Sequence, residues 1–134
     1  MVCIQCGAET KVVNSRLQKR LNQVWRRRKC TSCGIIFTTN EVTDYGGSIA
    51  VRDHRGTLTP FSRDKLLLSL YASLQHRKSA AQDATALSDT VISRILTQSQ
   101  HSVIDDQSIV NTAYLVLLRF DKVAAVHYEA FHRG

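Results

Sequence analysis

The chain has 134 residues, 43% of them hydrophobic, and its 18 Lys and Arg against 11 Asp and Glu give a formal net charge of +7. That length allows one domain or two small ones of the soluble globular class. No apolar run approaches the ~20 residues a membrane span needs. Met1-Val2-Cys3 begins neither a charged leader nor an apolar signal core, so a reducing, cytoplasmic setting is expected.

The charge is uneven. Residues 1–47 hold eight basic side chains against Glu9, Glu41 and Asp44, a net of +5, which leaves only +2 for the remainder. Such asymmetry points the first part at a polyanion, with nucleic acid the natural one. All four cysteines lie there too, as Cys3-Ile4-Gln5-Cys6-Gly7 and Cys30-Thr31-Ser32-Cys33-Gly34. Each pair is spaced for two thiolates to reach one ion, and the glycine after it lets the backbone fold over the sulfurs. Cys3, Cys6, Cys30 and Cys33 are therefore the expected ligands of one structural zinc. Four protein ligands leave no open position for catalytic water.

Between the knuckles, Lys11-Val12-Val13-Asn14 and Val24 to Lys29 have the content of paired strands, with Leu21-Asn22-Gln23 turning between them. Ile35 to Thr39 supplies a third. Three strands and two knuckles make a zinc ribbon over residues 1–46. Tyr45-Gly46-Gly47 is the strongest turn signal and marks the boundary. In residues 47–134, Ser48 to Arg52 and Thr57-Leu58-Thr59 read as a small hairpin turning at Arg55-Gly56.

Helices follow. Ser62 is placed to cap the first, which has Asp64 in its first turn and an apolar stripe of Leu66, Leu67, Leu70, Tyr71 and Leu74. Ala81 to Gln98 carries Ala84, Leu87, Val91 and Ile95, widened by Ile92 and Leu96. Asp105 or Asp106 caps a third with Ile109, Ala113, Val116, Leu117 and Phe120. Asp121 restarts a fourth with Val123, Val126, Ala130 and Phe131. All four stripes are expected to be core. The fold class is α+β: a three-stranded zinc ribbon, then a mainly α-helical module opened by a β-hairpin.

Taken in this order the chain resembles the NrdR family of repressors of ribonucleotide reductase genes over nearly its whole length. The matching motifs are the CxxCG pairs, Asn14-Ser15-Arg16, Arg26-Arg27-Arg28-Lys29 before the second knuckle, and Phe37-Thr38-Thr39-Asn40-Glu41. The remainder resembles an ATP-cone, through Pro60-Phe61-Ser62-Arg63-Asp64-Lys65-Leu66 and Phe120-Asp121-Lys122-Val123-Ala124. The resemblance implies a zinc ribbon that binds double-stranded promoter DNA, and a cone that takes ATP or dATP, with a magnesium ion accompanying the triphosphate. It further implies a homo-oligomer whose state follows the nucleotide. Where the family's opening cone strand carries Lys-Arg-Asp, this chain has Asp53, His54 and Arg55, so an acid stands at a phosphate-facing position. Ala125 and His127 likewise replace a usual Tyr and Arg.

Candidate DNA-binding residues are Arg16, Arg26, Arg27, Arg28 and Lys29. Alternation along a strand splits the basic run, so Arg26 and Arg28 are expected to share a face with Arg16, leaving Arg27 and Lys29 for phosphate or partner contacts. Trp25 is open to packing or base stacking. Nucleotide-binding candidates are Val51, Arg52, His54, Arg55, Lys65 and Lys122, with Tyr114 or Tyr128 as core aromatics that also suit stacking on adenine. His76, His101 and His132 read as isolated surface residues. No nucleophile–base pair, Walker-type glycine loop or carboxylate cluster for catalytic magnesium is visible, so an enzyme is not expected. Two rivals fit the same residues: a zinc-ribbon nucleic-acid adaptor whose cone serves only for assembly, and an allosteric partner acting on a reductase through its cone.

Overall fold

A computed structural model describes residues 1–99 and 101–132. The chain forms two compact units, Met1–Asp44 and Tyr45 onward. Each has its own architecture.

The first unit is a three-stranded antiparallel sheet, β1 (Thr10–Gln18), β2 (Gln23–Cys30) and β3 (Ile36–Glu41), in the order β1-β2-β3. β1 runs well beyond the expected Lys11–Asn14, because its register holds as far as Gln18↔Gln23 after a bulge at Val13. Asn22 takes the left-handed conformation (φ 49°) that closes the turn, with its N–H on the Lys19 carbonyl at 3.2 Å. Burial is sparse: Cys3, Cys30 and Phe37 are the buried hydrophobic residues of this unit.

The second unit packs helices against a small sheet. β4 (Ala50–Arg52) and β5 (Leu58–Pro60) form the expected hairpin, turning through Gly56 at φ 82°. Pro60 lies on the edge strand, where its missing N–H costs no ladder bond. A third strand, β6 (Val103–Asp105), was not expected from the sequence; it pairs in parallel with β4 through Ala50↔Val103 and Val51↔Ile104. Two adjacent β-branched residues are too short a run to read as a strand without their partner.

The helices are α1 (Arg63–Leu74), α2 (Ala80–Gln98), α3 (Asp106–Phe120) and α4 (Lys122–His132). Ser62 Oγ accepts the Lys65 N–H at 3.2 Å, the expected cap. Asp121 Oδ1 accepts from Ala124 N at 3.1 Å and caps α4. Asp105 makes no such bond for α3. Leu66, Leu70, Leu74, Ala84, Leu87, Val91, Ile92, Ile95, Ala113, Val116 and Leu117 enter one core, as their spacing implies. Tyr71, Leu96 and Phe120 do not; they lie at the edges of their stripes, about 40% exposed.

The stripe on α4 is reversed. Val123, Val126 and Phe131 are 65%, 67% and 75% exposed, Ala130 is exposed too, and the buried face is Ala124, Ala125 and Tyr128. Two alanines let the helix approach its neighbours closely and place Tyr128 in the core.

Candidate functional site

The two knuckles bring the four cysteines together. Their sulfurs all lie within 4.8 Å of one another, with Cys3–Cys33 at 3.7 Å and Cys6–Cys30 at 3.5 Å. Four sulfurs held ~2.3 Å from one ion stand ~3.8 Å apart along a tetrahedral edge, so the cluster has the dimensions of a tetrathiolate zinc site. Gly7 and Gly34, at φ 76° and 77°, supply the left-handed residue that closes each knuckle. Backbone amides point at the sulfurs: Gln5 N at Cys3 Sγ, and Ser32 N and Cys33 N at Cys30 Sγ, each at 3.3 Å.

Those amides favour thiolate. The Cys33 N–H, followed by Ser32 and the Cys6 thiol, draws Cys30 down to about 6 against its burial. The Cys6 amide lowers Cys3 in the same way. Against the lowering pull of the Ile35 N–H, burial and the three neighbouring thiols push Cys33 up to about 11. Four sulfurs this close cannot all ionise unaided, and a divalent cation supplies the compensating charge. Soft ligands, tetrahedral spacing and a closed shell fit zinc.

The ribbon register sorts the cations onto two faces. Trp25 pairs with Arg16 and Asn40, Arg27 with Asn14 and Thr38, and Lys29 with Lys11 and Ile36. Paired residues share a face, so Lys11, Arg16, Arg27 and Lys29 stand together around Trp25. All four are exposed. The Arg16 guanidinium lies over the Trp25 ring at 5.7 Å, and Arg27 Nη1 donates to Thr38 Oγ1 at 3.0 Å. The opposite face has Arg26 and Arg28 with Phe37 and Cys30. There Arg26 stands 3.8 Å from Glu41, and Arg28 donates to Thr39 Oγ1 at 3.3 Å and Thr10 Oγ1 at 3.5 Å.

This corrects the expected grouping. Arg26 and Arg28 do share a face, but Arg16 is on the other, because the bulge at Val13 shifts β1 by one residue against β2. Half-buried Arg26 and Arg28 are engaged by the protein's own side chains.

In the second unit a cavity of about 310 Å³ lies between the hairpin, α1, α3 and α4. Val51, Phe61, Leu66, Ile109 and Val110 make its apolar wall, and Asp53, Lys65, Ser69, Asp106, Tyr128 and His132 its polar part. Asp53 is occupied: Oδ1 accepts from the backbone of Arg55 at 2.8 Å and Thr57 at 2.9 Å, which organises the hairpin tip. Nothing among the described residues engages the Lys65 ammonium or the Asp106 carboxylate. Tyr128 is buried, and burial pushes its phenol up to about 12.

A family model, the N-terminal domain of transcriptional repressor NrdR-like proteins, matches residues 1–41. Proteins named "Transcriptional repressor NrdR" from Staphylococcus aureus strains JH9, Newman and JH1 are each 30% identical to this chain over 134 residues, spanning 99% of it and 85% of the relative. The chain belongs to the NrdR family.

It is accordingly an NrdR-like transcriptional repressor with a four-cysteine zinc ribbon and an ATP-cone-like second unit, and its relatives are repressors rather than enzymes. No helix among the described residues is long and apolar enough to cross a membrane. Within this NrdR-type cone, Val51 and Lys65 line the cavity, whereas Arg52, His54, Arg55 and Lys122 lie outside its lining. Arg52 stands 3.8 Å from Asp105 instead. Asp106, Ser69 and His132 are lining residues that sequence reasoning missed. His132 stacks on Tyr128 at 4.0 Å, an i,i+4 pair that was visible as spacing. His76 is no isolated residue either, since its Nε2 stands 2.8 Å from Asp121 Oδ2.

Proposed function

We propose that the chain represses ribonucleotide reductase genes by binding duplex promoter DNA through the outer ribbon face of Lys11, Arg16, Arg27 and Lys29, under control of ATP or dATP held in the cone. The observation that carries this reading is the cross-strand register, which gathers four exposed cations on one face and leaves Glu41 on the other. Phosphate neutralisation supplies most of the affinity of such a face, and Asn14 and Asn40 offer amides suited to base edges. Zinc holds the strands in that register. It is bound by Cys3, Cys6, Cys30 and Cys33 and takes no chemical part. Arg26 and Arg28 act on the ribbon's inner face by fixing β2 against β3.

In the cone, the apolar wall takes the adenine, Lys65 meets the phosphates at the start of α1, and Asp106 accepts from the ribose hydroxyls. A magnesium ion travels with the triphosphate. Nucleotide sets the homo-oligomeric state, and that state sets how many ribbons engage one promoter. Asp53, tied to its own turn, shapes the hairpin rather than opposing the phosphates.

The test compares a palindromic promoter duplex with a scrambled one, using zinc-loaded protein alone, with ATP and with dATP. Preference for the promoter that changes between nucleotides is expected. Arg27→Ala and Lys29→Ala should each weaken binding to both duplexes and lower the salt slope by about 0.9 per lost phosphate contact. Equal binding to both duplexes under every condition would favour an adaptor role. Nucleotide binding without promoter preference would favour action on the reductase itself.

A further inference from the structure

We infer that Cys6 is an oxidation site, whose sulfur takes an oxygen from hydrogen peroxide and then closes a disulfide with Cys30, emptying the ribbon of its ion. The four ligands are unequally covered. Cys3 and Cys30 are buried, whereas Cys6 and Cys33, one on each knuckle, are exposed, so a small oxidant meets two sulfurs in the folded protein. Backbone amides distinguish those two. Cys3 has the N–H of Gln5, Cys30 those of Ser32 and Cys33, and Cys33 that of Ile35. Among the described residues no backbone N–H is directed at Cys6 Sγ, whose recorded neighbour is the Cys30 sulfur. An N–H on a coordinated sulfur draws charge from it and lowers its nucleophilicity. Cys6 therefore combines exposure with an unquenched sulfur.

The resolving partner is in place. Cys30 Sγ stands 3.5 Å from Cys6 Sγ, about 1.5 Å beyond the ~2.05 Å of a disulfide bond. Sulfur that ligates zinc is thiolate, the form that reacts. The Cys6 thiolate attacks one peroxide oxygen, the O–O bond breaks, and hydroxide leaves behind a sulfenic acid. The Cys30 thiolate then attacks the Cys6 sulfur, the S–O bond breaks, and a second hydroxide leaves. Two thiolates have lost two electrons and the peroxide has gained them. The bonded pair no longer ligates, and Cys3 with Cys33 makes only half of a tetrahedral shell. A ribbon with so few buried residues needs that ion to keep its strands in register. The consequence for promoter DNA rests on the proposed ribbon reading; the chemistry at Cys6 does not.

Full-length, zinc-loaded protein titrated with hydrogen peroxide tests both, with a chromogenic chelator reading released zinc and a thiol reagent counting free cysteines. One equivalent of peroxide should release the zinc and remove two of the four thiols. Tandem mass spectrometry of the non-reduced digest should map the bridge to Cys6 and Cys30. Limiting N-ethylmaleimide on unoxidised protein should label Cys6 first, a readout of nucleophilicity that needs no variant. Cys6→His, which keeps a zinc donor but cannot form the bridge, should release zinc to peroxide at least ~10-fold more slowly. Oxidised protein should bind the promoter duplex at least ~10-fold more weakly, and dithiothreitol with zinc should restore binding.

Zinc retained after one equivalent of peroxide would overturn the inference. So would a bridge within one knuckle, first labelling at Cys33, or a Cys6→His variant that loses zinc as fast as wild type. If that variant does not load zinc, labelling order and bridge mapping decide. Oxidised protein that binds the duplex as tightly as before breaks the link between oxidation and DNA. Unoxidised, zinc-loaded protein that binds no duplex removes the ribbon reading and leaves the oxidation site standing.

Discussion

Asp121 joins the turn after α1 to the start of α4 through one carboxylate. Its Oδ2 lies 2.8 Å from His76 Nε2 and 3.1 Å from Arg77 Nη1, while Oδ1 caps α4. Arg77 is held in turn by Asp83 at 2.9 Å and lies 4.6 Å over the Phe120 ring. His76, then the Ala124 N–H and Arg77, hold the Asp121 carboxyl down to about 2 from 3.8. A depressed carboxylate stabilises the fold above its unfolded pKa and loses that contribution as pH falls through its folded one. Asp121→Ala should thus cost at least ~1 kcal/mol at neutral pH. The difference from wild type should vanish in denaturant melts as pH drops from about 4 to about 2. At the cavity, Asp106→Asn tests the proposed ribose contact: if the carboxylate accepts from the 2′-hydroxyl, the variant should lose affinity for ATP but not for dATP, whereas Lys65→Ala should weaken both roughly tenfold. Isothermal titration of the two nucleotides separates these outcomes.

At the scale of elements, the legible features were those with a sharp period or spacing. Both knuckles, the Ser62 cap, the hairpin and the buried stripes of α1 to α3 follow from local pattern alone. What failed did so where the pattern was degenerate. α4 is apolar on two faces, and period 3.6 cannot say which one is core; close approach to neighbouring helices selected the small residues Ala124 and Ala125 for burial. Alternation along β2 correctly separated Arg26 and Arg28 from Arg27 and Lys29. A bulge in the neighbouring strand, set by pairing rather than by residue type, decided which pair Arg16 joins. β6 and the cavity walls at Asp106 and His132 depend on tertiary pairing and left almost no local trace. The family resemblance supplied the repressor assignment, and the register supplied the sorting of the ribbon's cations onto two faces.

For the whole molecule, the two units depend on different forces. The ribbon buries Cys3, Cys30 and Phe37, so two of its three buried hydrophobic residues are metal ligands, whereas the second unit has a continuous core from Ile49 to Tyr128. A unit with so little buried apolar surface cannot offset its chain entropy alone, and zinc coordination, on the order of 10 kcal/mol, supplies the difference. Chelation should therefore unfold the ribbon and leave the helical unit folded. Cys30→Ser should do the same without chelator. Amide exchange resolves the two: protection should collapse across β1 to β3 and persist in α1 to α3. DNA binding should disappear with the ribbon while ATP binding persists. Loss of protection throughout the chain would mean that the second unit borrows its stability from the metal.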